Sequence, residues 1–168
     1  VAVEEVGEDG YVIGVDLLST SPVEGATIII GDITNPKTVE QINQELEGYY
    51  LNCVISDISP RLTGRYDTDQ AISLELSTMV LDAAMPILNP GGSFVTKIFQ
   101  GVGIEGLIEA AKMRFSSVQR FAPTASRSSS SETYLVCRIK LPKIRKEAEG
   151  RTAYEHLKEC RSRWSPYH

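Results

Sequence analysis

The chain of 168 residues has almost no positive charge in its first third. Residues 1–60 hold one basic residue, Lys37, against 11 acids, whereas residues 61–168 hold 16 basic residues against 11 acids. The net charge of −5 hides this asymmetry. The split suits a cationic ligand on the first half and a polyanion on the second, although two merely solvated surfaces fit it equally well. Cysteine is scarce. Cys53, Cys137 and Cys160 are odd in number and far apart, and the sequence contains no CxxC or HxxxH pair. His156 and His168 lie near the C-terminus. These absences predict no metal site and a reducing, cytoplasmic compartment. Cys53 and Cys137 fall in apolar runs, where they are expected as small buried hydrophobes. No apolar run is long enough to span a membrane, and no signal peptide is expected at the start. No internal repeat or second domain is evident.

What is present is an alternation of strand and helix signals. Tyr11–Asp16, Thr27–Asp32 and Asn52–Asp57 are short β-branched runs, each ending in an acid. Continuous apolar runs of this length suit strands covered on both faces, as in a parallel sheet. Pro36 to Gly48 reads as an amphipathic helix, with Asn35 or Thr34 as its cap and Val39, Ile42 and Leu46 on one face. A longer helix is predicted from about Thr68, shortened or kinked by Pro86. Asn89-Pro90-Gly91-Gly92 signals a turn before a strand over Ser93–Phe99. A helix over Ile104–Phe115 and strands over Val118–Ala122 and Glu132–Ile139 follow. The polar segment Ser126–Ser131 between those strands reads as a flexible loop. Residues 1–140 are expected to form one domain and residues 141–168 a basic tail, with a possible surface helix over Glu147–Cys160.

Three polar residues interrupt or close apolar strands: Asp57, Lys97 and Glu132. An unpaired ammonium inside an apolar strand is costly, so Lys97 must pair with an acid or lose its proton. If Glu132 begins a strand antiparallel to the others, its start lies at their carboxyl ends. Asp57, Lys97 and Glu132 then converge, as a catalytic group or as a buried ion pair that joins strands. Asp16 and Asp32 also close strands. In an open α/β sheet such positions meet a nucleotide, Asp16 at ribose hydroxyls and Asp32 at an adenine amino group. Either acid can instead cap the segment after it, and Thr34-Asn35-Pro36 makes that alternative serious for Asp32.

These segments resemble the FtsJ-type (RrmJ-like) ribosomal RNA ribose 2′-O-methyltransferases. The likeness runs through Val15-Asp16-Leu17-Leu18, Gly31-Asp32-Ile33, Ser56-Asp57-Ile58-Ser59-Pro60, Gly91 to Gly101, Ser126-Arg127, and Glu132 to Val136, in order, over residues 1–140. It implies a Rossmann-like α/β fold, with a seven-stranded, mostly parallel sheet, an antiparallel last strand and helices on both faces. It also implies S-adenosylmethionine as the cofactor and RNA, on a ribosomal particle or free, as the partner. Asp57, Lys97 and Glu132 match the last three members of the family's Lys-Asp-Lys-Glu catalytic set. Asp16 and Leu17 match its ribose contacts, Asp32 and Ile33 its adenine contacts, and Asp57 its methionine end. The family's first strand, glycine-rich loop and first catalytic lysine are expected upstream of residue 1, since no glycine-rich loop precedes Asp16.

The expected reaction is methyl transfer to a ribose 2′-hydroxyl of large-subunit ribosomal RNA, with Lys97 as a neutral base and Asp57 and Glu132 orienting it. Burial favours that neutral form and the two carboxylates oppose it. Arg61, Arg65 and Arg127, with Arg120, are candidate phosphate contacts; each also suits a solvated loop. Transfer RNA methylation, a non-catalytic binding module of the same fold, and a nicotinamide-dependent oxidoreductase are the competing readings.

Overall fold

The computed structural model describes residues 1–122 and 132–163. They fall into two compact units, Val1–Tyr49 and Tyr50–His168. The first opens with α1 (Ala2–Val6), followed by β1 (Val12–Asp16), β2 (Ala26–Ile30) and α2 (Pro36–Leu46). β1 and β2 pair in parallel, with Asp16 opposite Ile30. Asn35 caps α2 as expected, its side chain accepting from the Lys37 amide at 3.0 Å, and Pro36 fills the first turn, where its missing N–H is not needed. Thr38, Ile42 and Leu46 form the buried face of α2. The helix lies close to the end of β2: a Cβ on Gly31 would sit 2.7 Å from the Thr38 hydroxyl.

The second unit holds β3 (Leu51–Ser56), α3 (Tyr66–Ala84), β4 (Leu88–Phe99), α4 (Ile104–Lys112), β5 (Phe115–Phe121), β6 (Glu132–Lys140) and α5 (Ala153–Arg163). Its sheet has the order β3-β4-β6-β5. β3 and β4 are parallel, and β6 runs antiparallel to both β4 and β5. Thus β3, β4 and β5 share one direction and only the last strand opposes them, as the sequence predicts. The described residues contain six strands in two sheets, against the seven in one sheet that the resemblance implies.

Phe94, Thr96, Ile98, Leu135 and Cys137 line one buried face of the second sheet. α3 meets this face through Ser77, which accepts from Thr96 and donates to the Lys97 carbonyl, both at 3.1 Å. Leu74, Leu81, Leu107 and Phe115 complete the core. Removing such side chains from water supplies most of the drive for folding, at roughly 1.5–3 kcal/mol for each large apolar group.

Four local expectations change. Asn89–Gly92 does not precede β4 but forms a bulge within it, between the Leu51–Leu88 and Cys53–Ser93 pairs. The bulge needs glycine, because Gly91 has φ of +82° and a Cβ on Gly92 would lie 2.8 Å from the Asn89 carbonyl. α4 stops at Lys112 because Phe115 is drawn into β5 opposite Lys140. Cys53 is exposed, since it lies on the sheet face opposite the helices, whereas Cys137 is buried and its thiol is pushed up to about 12 by burial. The segment after residue 141 does more than trail along the surface. Ala148, Ala153 and Leu157 are buried, and Asp82 of α3 caps α5 by accepting from the Ala153 and Tyr154 amides at 2.7 and 3.0 Å. Thr152 and Glu155 add a reciprocal pair of hydrogen bonds at the same end.

Candidate active site

In the second unit, strand register assembles the candidate site. Ser56 of β3 lies beside Thr96, so Asp57 follows beside Lys97. Across the antiparallel ladder Lys97 faces Tyr134 and Phe99 faces Glu132. Glu132 is therefore a diagonal neighbour of Lys97 on the same sheet face. Lys97 Nζ lies 3.0 Å from Asp57 Oδ1, with the lysine side chain 16% and the aspartate side chain 67% exposed. Asp57, Lys97 and Glu132 thus lie at one end of the sheet, as the strand pattern predicts.

The charge state of Lys97 is set by opposing influences. Burial pulls its pKa down, but the hydrogen bond and negative charge of Asp57, together with Glu132 and Tyr134, raise it above the usual lysine value of 10.5. The neutral amine expected for the reactive state is therefore distinct from the resting form. The resting group is an ammonium held by Asp57, because the carboxylates outweigh the desolvation that favours the neutral form.

The loop after Asp57 is tied down rather than open. Asp69, in the first turn of α3, accepts from both the amide and the hydroxyl of Thr63 at 2.8 Å. Those bonds hold its carboxyl below its ordinary value of 3.8. Tyr66 donates to the Gln100 carbonyl, and Gln70 donates to the Val102 carbonyl at 3.1 Å. The start of α3 is thereby fixed to the chain leaving β4. Arg61 and Arg65 are exposed on the tied loop. Arg120 reaches Glu105 at 3.6 Å. Ser126 and Arg127 lie outside the described residues.

In the first unit, Asp16 and Asp32 follow the same pattern at the carboxyl ends of adjacent parallel strands. The Gly31 amide donates to the Asp16 carbonyl at 2.8 Å, joining the two ends. Asp16 Oδ1 accepts from the Leu18 amide at 3.1 Å. Asp32 Oδ1 accepts from the amide and hydroxyl of Thr34 at 2.9 and 2.6 Å, which holds its carboxyl below 3.8. Each acid therefore closes a local turn through one oxygen. This leaves the second oxygen, Oδ2, at an exposed strand end, where a diol or an amino group can reach it. Leu17 is exposed beside Asp16, and Ile33 is partly buried beside Asp32. Two carboxylate acceptors beside two apolar side chains fit the ribose diol, the adenine amino group and the adenine ring of S-adenosylmethionine.

Sequence reasoning missed Asp69, Tyr66 and Ser77, whose roles depend on long-range contacts. A polar residue at a helix start was the available signal for Asp69.

The chain is 46% identical over 127 residues to ribosomal RNA large subunit methyltransferase E of Methanothrix thermoacetophila, covering 76% of this chain and 49% of that protein. It is 39% identical over 134 residues to the protein of the same name from Francisella philomiragia, covering 80% of this chain and 65% of that protein. The chain thus spans about half to two thirds of the length of these relatives. A crystal structure of a provisionally assigned ribosomal RNA methyltransferase from Plasmodium falciparum superposes with a TM-score of 0.76 at 22% identity, covering 84% of this chain and 79% of that one. This likeness shows the Rossmann-like α/β methyltransferase fold. Residues 1–140 match the profile of the FtsJ-like methyltransferases, and the chain belongs to that family.

Proposed function

We propose that the complete protein transfers a methyl group from S-adenosylmethionine to a ribose 2′-hydroxyl of large-subunit ribosomal RNA. The observation that supports this most is the Asp57–Lys97 pair, with Glu132 diagonal to it, at the end of a sheet whose chain belongs to a methyltransferase family. When bound, S-adenosylmethionine supplies an electrophilic methyl group on a cationic sulfur. By the family resemblance, Asp16 and Leu17 would hold its ribose, Asp32 and Ile33 its adenine, and Asp57 its methionine end.

Lys97 and Glu132 handle the 2′-hydroxyl. In the resting state the Lys97 ammonium donates to Asp57 and to the incoming ribose oxygen, fixing its position. For proton transfer Lys97 must first shed its proton, and burial is the influence in this site that favours the neutral amine. The neutral amine would then take the 2′-hydroxyl proton as the ribose oxygen bonds to the methyl group and the sulfur–methyl bond breaks, its electron pair staying on sulfur; the amine returns the proton to solvent afterwards. Glu132 accepts from Lys97 or from a ribose hydroxyl and sets the approach. Arg61, Arg65 and Arg127 contact phosphates and position the RNA without reading its sequence.

The test is methyl transfer by the complete polypeptide to undermodified large ribosomal subunits, with transfer RNA as the competing substrate. Lys97→Met is expected to lower the rate by about 10²–10⁴-fold, the range for loss of general acid–base catalysis. Activity within a few fold of wild type removes Lys97 from the chemistry. Methylation of transfer RNA alone reassigns the substrate, and cofactor binding without transfer to either RNA identifies a binding module.

A further inference from the structure

Away from the sheet edge, α4 and α5 bring together three groups of metal-ligand type. Glu109 lies on α4, and His156 and Cys160 lie one turn apart on α5. His156 Nε2 is 3.2 Å from Glu109 Oε2, and Cys160 Sγ is 3.6 Å from the same oxygen. One ligand atom from each residue lies within 4.8 Å of the other two.

These distances suit a shared tetrahedral ion. Zinc bonds of about 2.0–2.3 Å to nitrogen, oxygen and sulfur imply ligand–ligand edges of about 3.3–3.8 Å. The His–Glu and Glu–Cys separations are close to that range before any ion draws the atoms together. The chemistry also matches, because a thiolate and a carboxylate balance a divalent charge and a neutral imidazole completes a soft, mixed set. The His156 side chain is 12% exposed. Its Nδ1 is buried and has no partner among the described residues, so the polar interactions of the ring concentrate on Nε2, which faces the carboxylate. Only CxxC and HxxxH spacings were weighed in the sequence, but His156 and Cys160 form an HxxxC pair, which places both side chains on one helix face.

We propose that Glu109, His156 and Cys160 bind one zinc ion, with water as the fourth ligand, and that the ion clips α5 to α4. Binding displaces the Cys160 thiol proton to solvent and involves no change of oxidation state. The site is separate from the methyl-transfer residues and does not depend on their assignment.

The probes are zinc and cobalt added to the purified reduced chain, with Cys53→Ser as background so that its exposed thiol does not compete. One equivalent of cobalt should bind with the near-ultraviolet absorbance of a thiolate ligand, and zinc should displace it. Zinc at 100 times its dissociation constant should raise the thermal midpoint by several degrees. Cys160→Ser and His156→Ala should each remove the absorbance and the shift while keeping the far-ultraviolet circular dichroism of the parent. Glu109→Gln, which keeps the shape of the side chain, should weaken zinc binding at least tenfold. Absence of binding, or binding unchanged within twofold in Cys160→Ser, overturns the proposal.

Discussion

Stability and activity should respond in opposite ways at Lys97, and the structure sets the size of the contrast. A hydrogen bond to a charged group contributes roughly 1.5–3 kcal/mol, whereas an exposed ion pair contributes about 0.2–1 kcal/mol. The Lys97–Asp57 pair falls between these cases, because the lysine side chain is 16% exposed and the aspartate 67%. Asp57→Ala should therefore cost about 1–1.5 kcal/mol, since it leaves a largely buried ammonium without its carboxylate. Lys97→Met keeps the length and packing of the stem and removes the group that was costly to desolvate. It should change stability by no more than about 0.5 kcal/mol, or stabilise the fold. The double variant should recover most of the Asp57→Ala loss, giving a coupling of about 1 kcal/mol in a double-mutant cycle from urea unfolding. The same Lys97→Met change should lower methyl transfer by about 10²–10⁴-fold. If Lys97→Met costs as much stability as Asp57→Ala and the double variant costs their sum, the pair is not coupled and the electrostatic account of the site fails.

Other consequences concern titration and packing. If Lys97 is the base, activity should rise with pH on the alkaline side, and Asp57→Asn should move that limb to lower pH by removing the negative charge and weakening the hydrogen bond that raise Lys97; an unmoved limb assigns the titration elsewhere. Asp32 and Asp69 are held below their ordinary value of 3.8, so their stabilisation is present above pH 3.8 and is lost as pH falls through their folded values. Asp69→Asn should flatten that acid limb in an unfolding series, and an identical limb would refute the role of the Thr63 bonds. Leu157→Ala should destabilise the chain by about 3 kcal/mol, since the side chain is fully buried against α4; a loss below about 1 kcal/mol would show that α5 is not part of the folded core. Ile139 is a β-branched residue at φ of +61° and is 56% exposed. Ile139→Asn should therefore raise the thermal midpoint slightly, and a lowered midpoint would show that packing outweighs the backbone conformation.

The sequence was most informative where one residue type contradicted its surroundings. Lys97 stands in an apolar strand, and that conflict led to Asp57 and Glu132 before any register was known. The strands ending at Asp16 and Ser56 were equally legible, because uninterrupted β-branched runs have few other uses in a chain of this composition. Those same runs concealed which side of each strand faces the helices. Cys53 was therefore taken as buried although it is exposed. The bulge at Asn89–Gly92 looked like a boundary because glycine and proline punctuate bulges and turns alike. The packing of α5 was hidden for a different reason. The helix buries only Ala153 and Leu157, too few apolar residues to set up a periodic signal, and its polar anchors, Asp82, Glu75 and Glu109, lie some 50 to 90 positions earlier. The titration of Lys97 is a difference between burial and three nearby groups, and such a difference needs distances that no sequence contains.

The family likeness ends near residue 140, but the last buried leucine comes 17 residues later. During synthesis, the strands and the methyl-transfer residues are therefore translated before the helix that covers Gly106. A recombinant form trimmed to the homologous region would keep every residue assigned to chemistry and lose the lid over its own hydrophobic interior. Boundaries for expression are better drawn from where the chain stops packing than from where its relatives stop aligning.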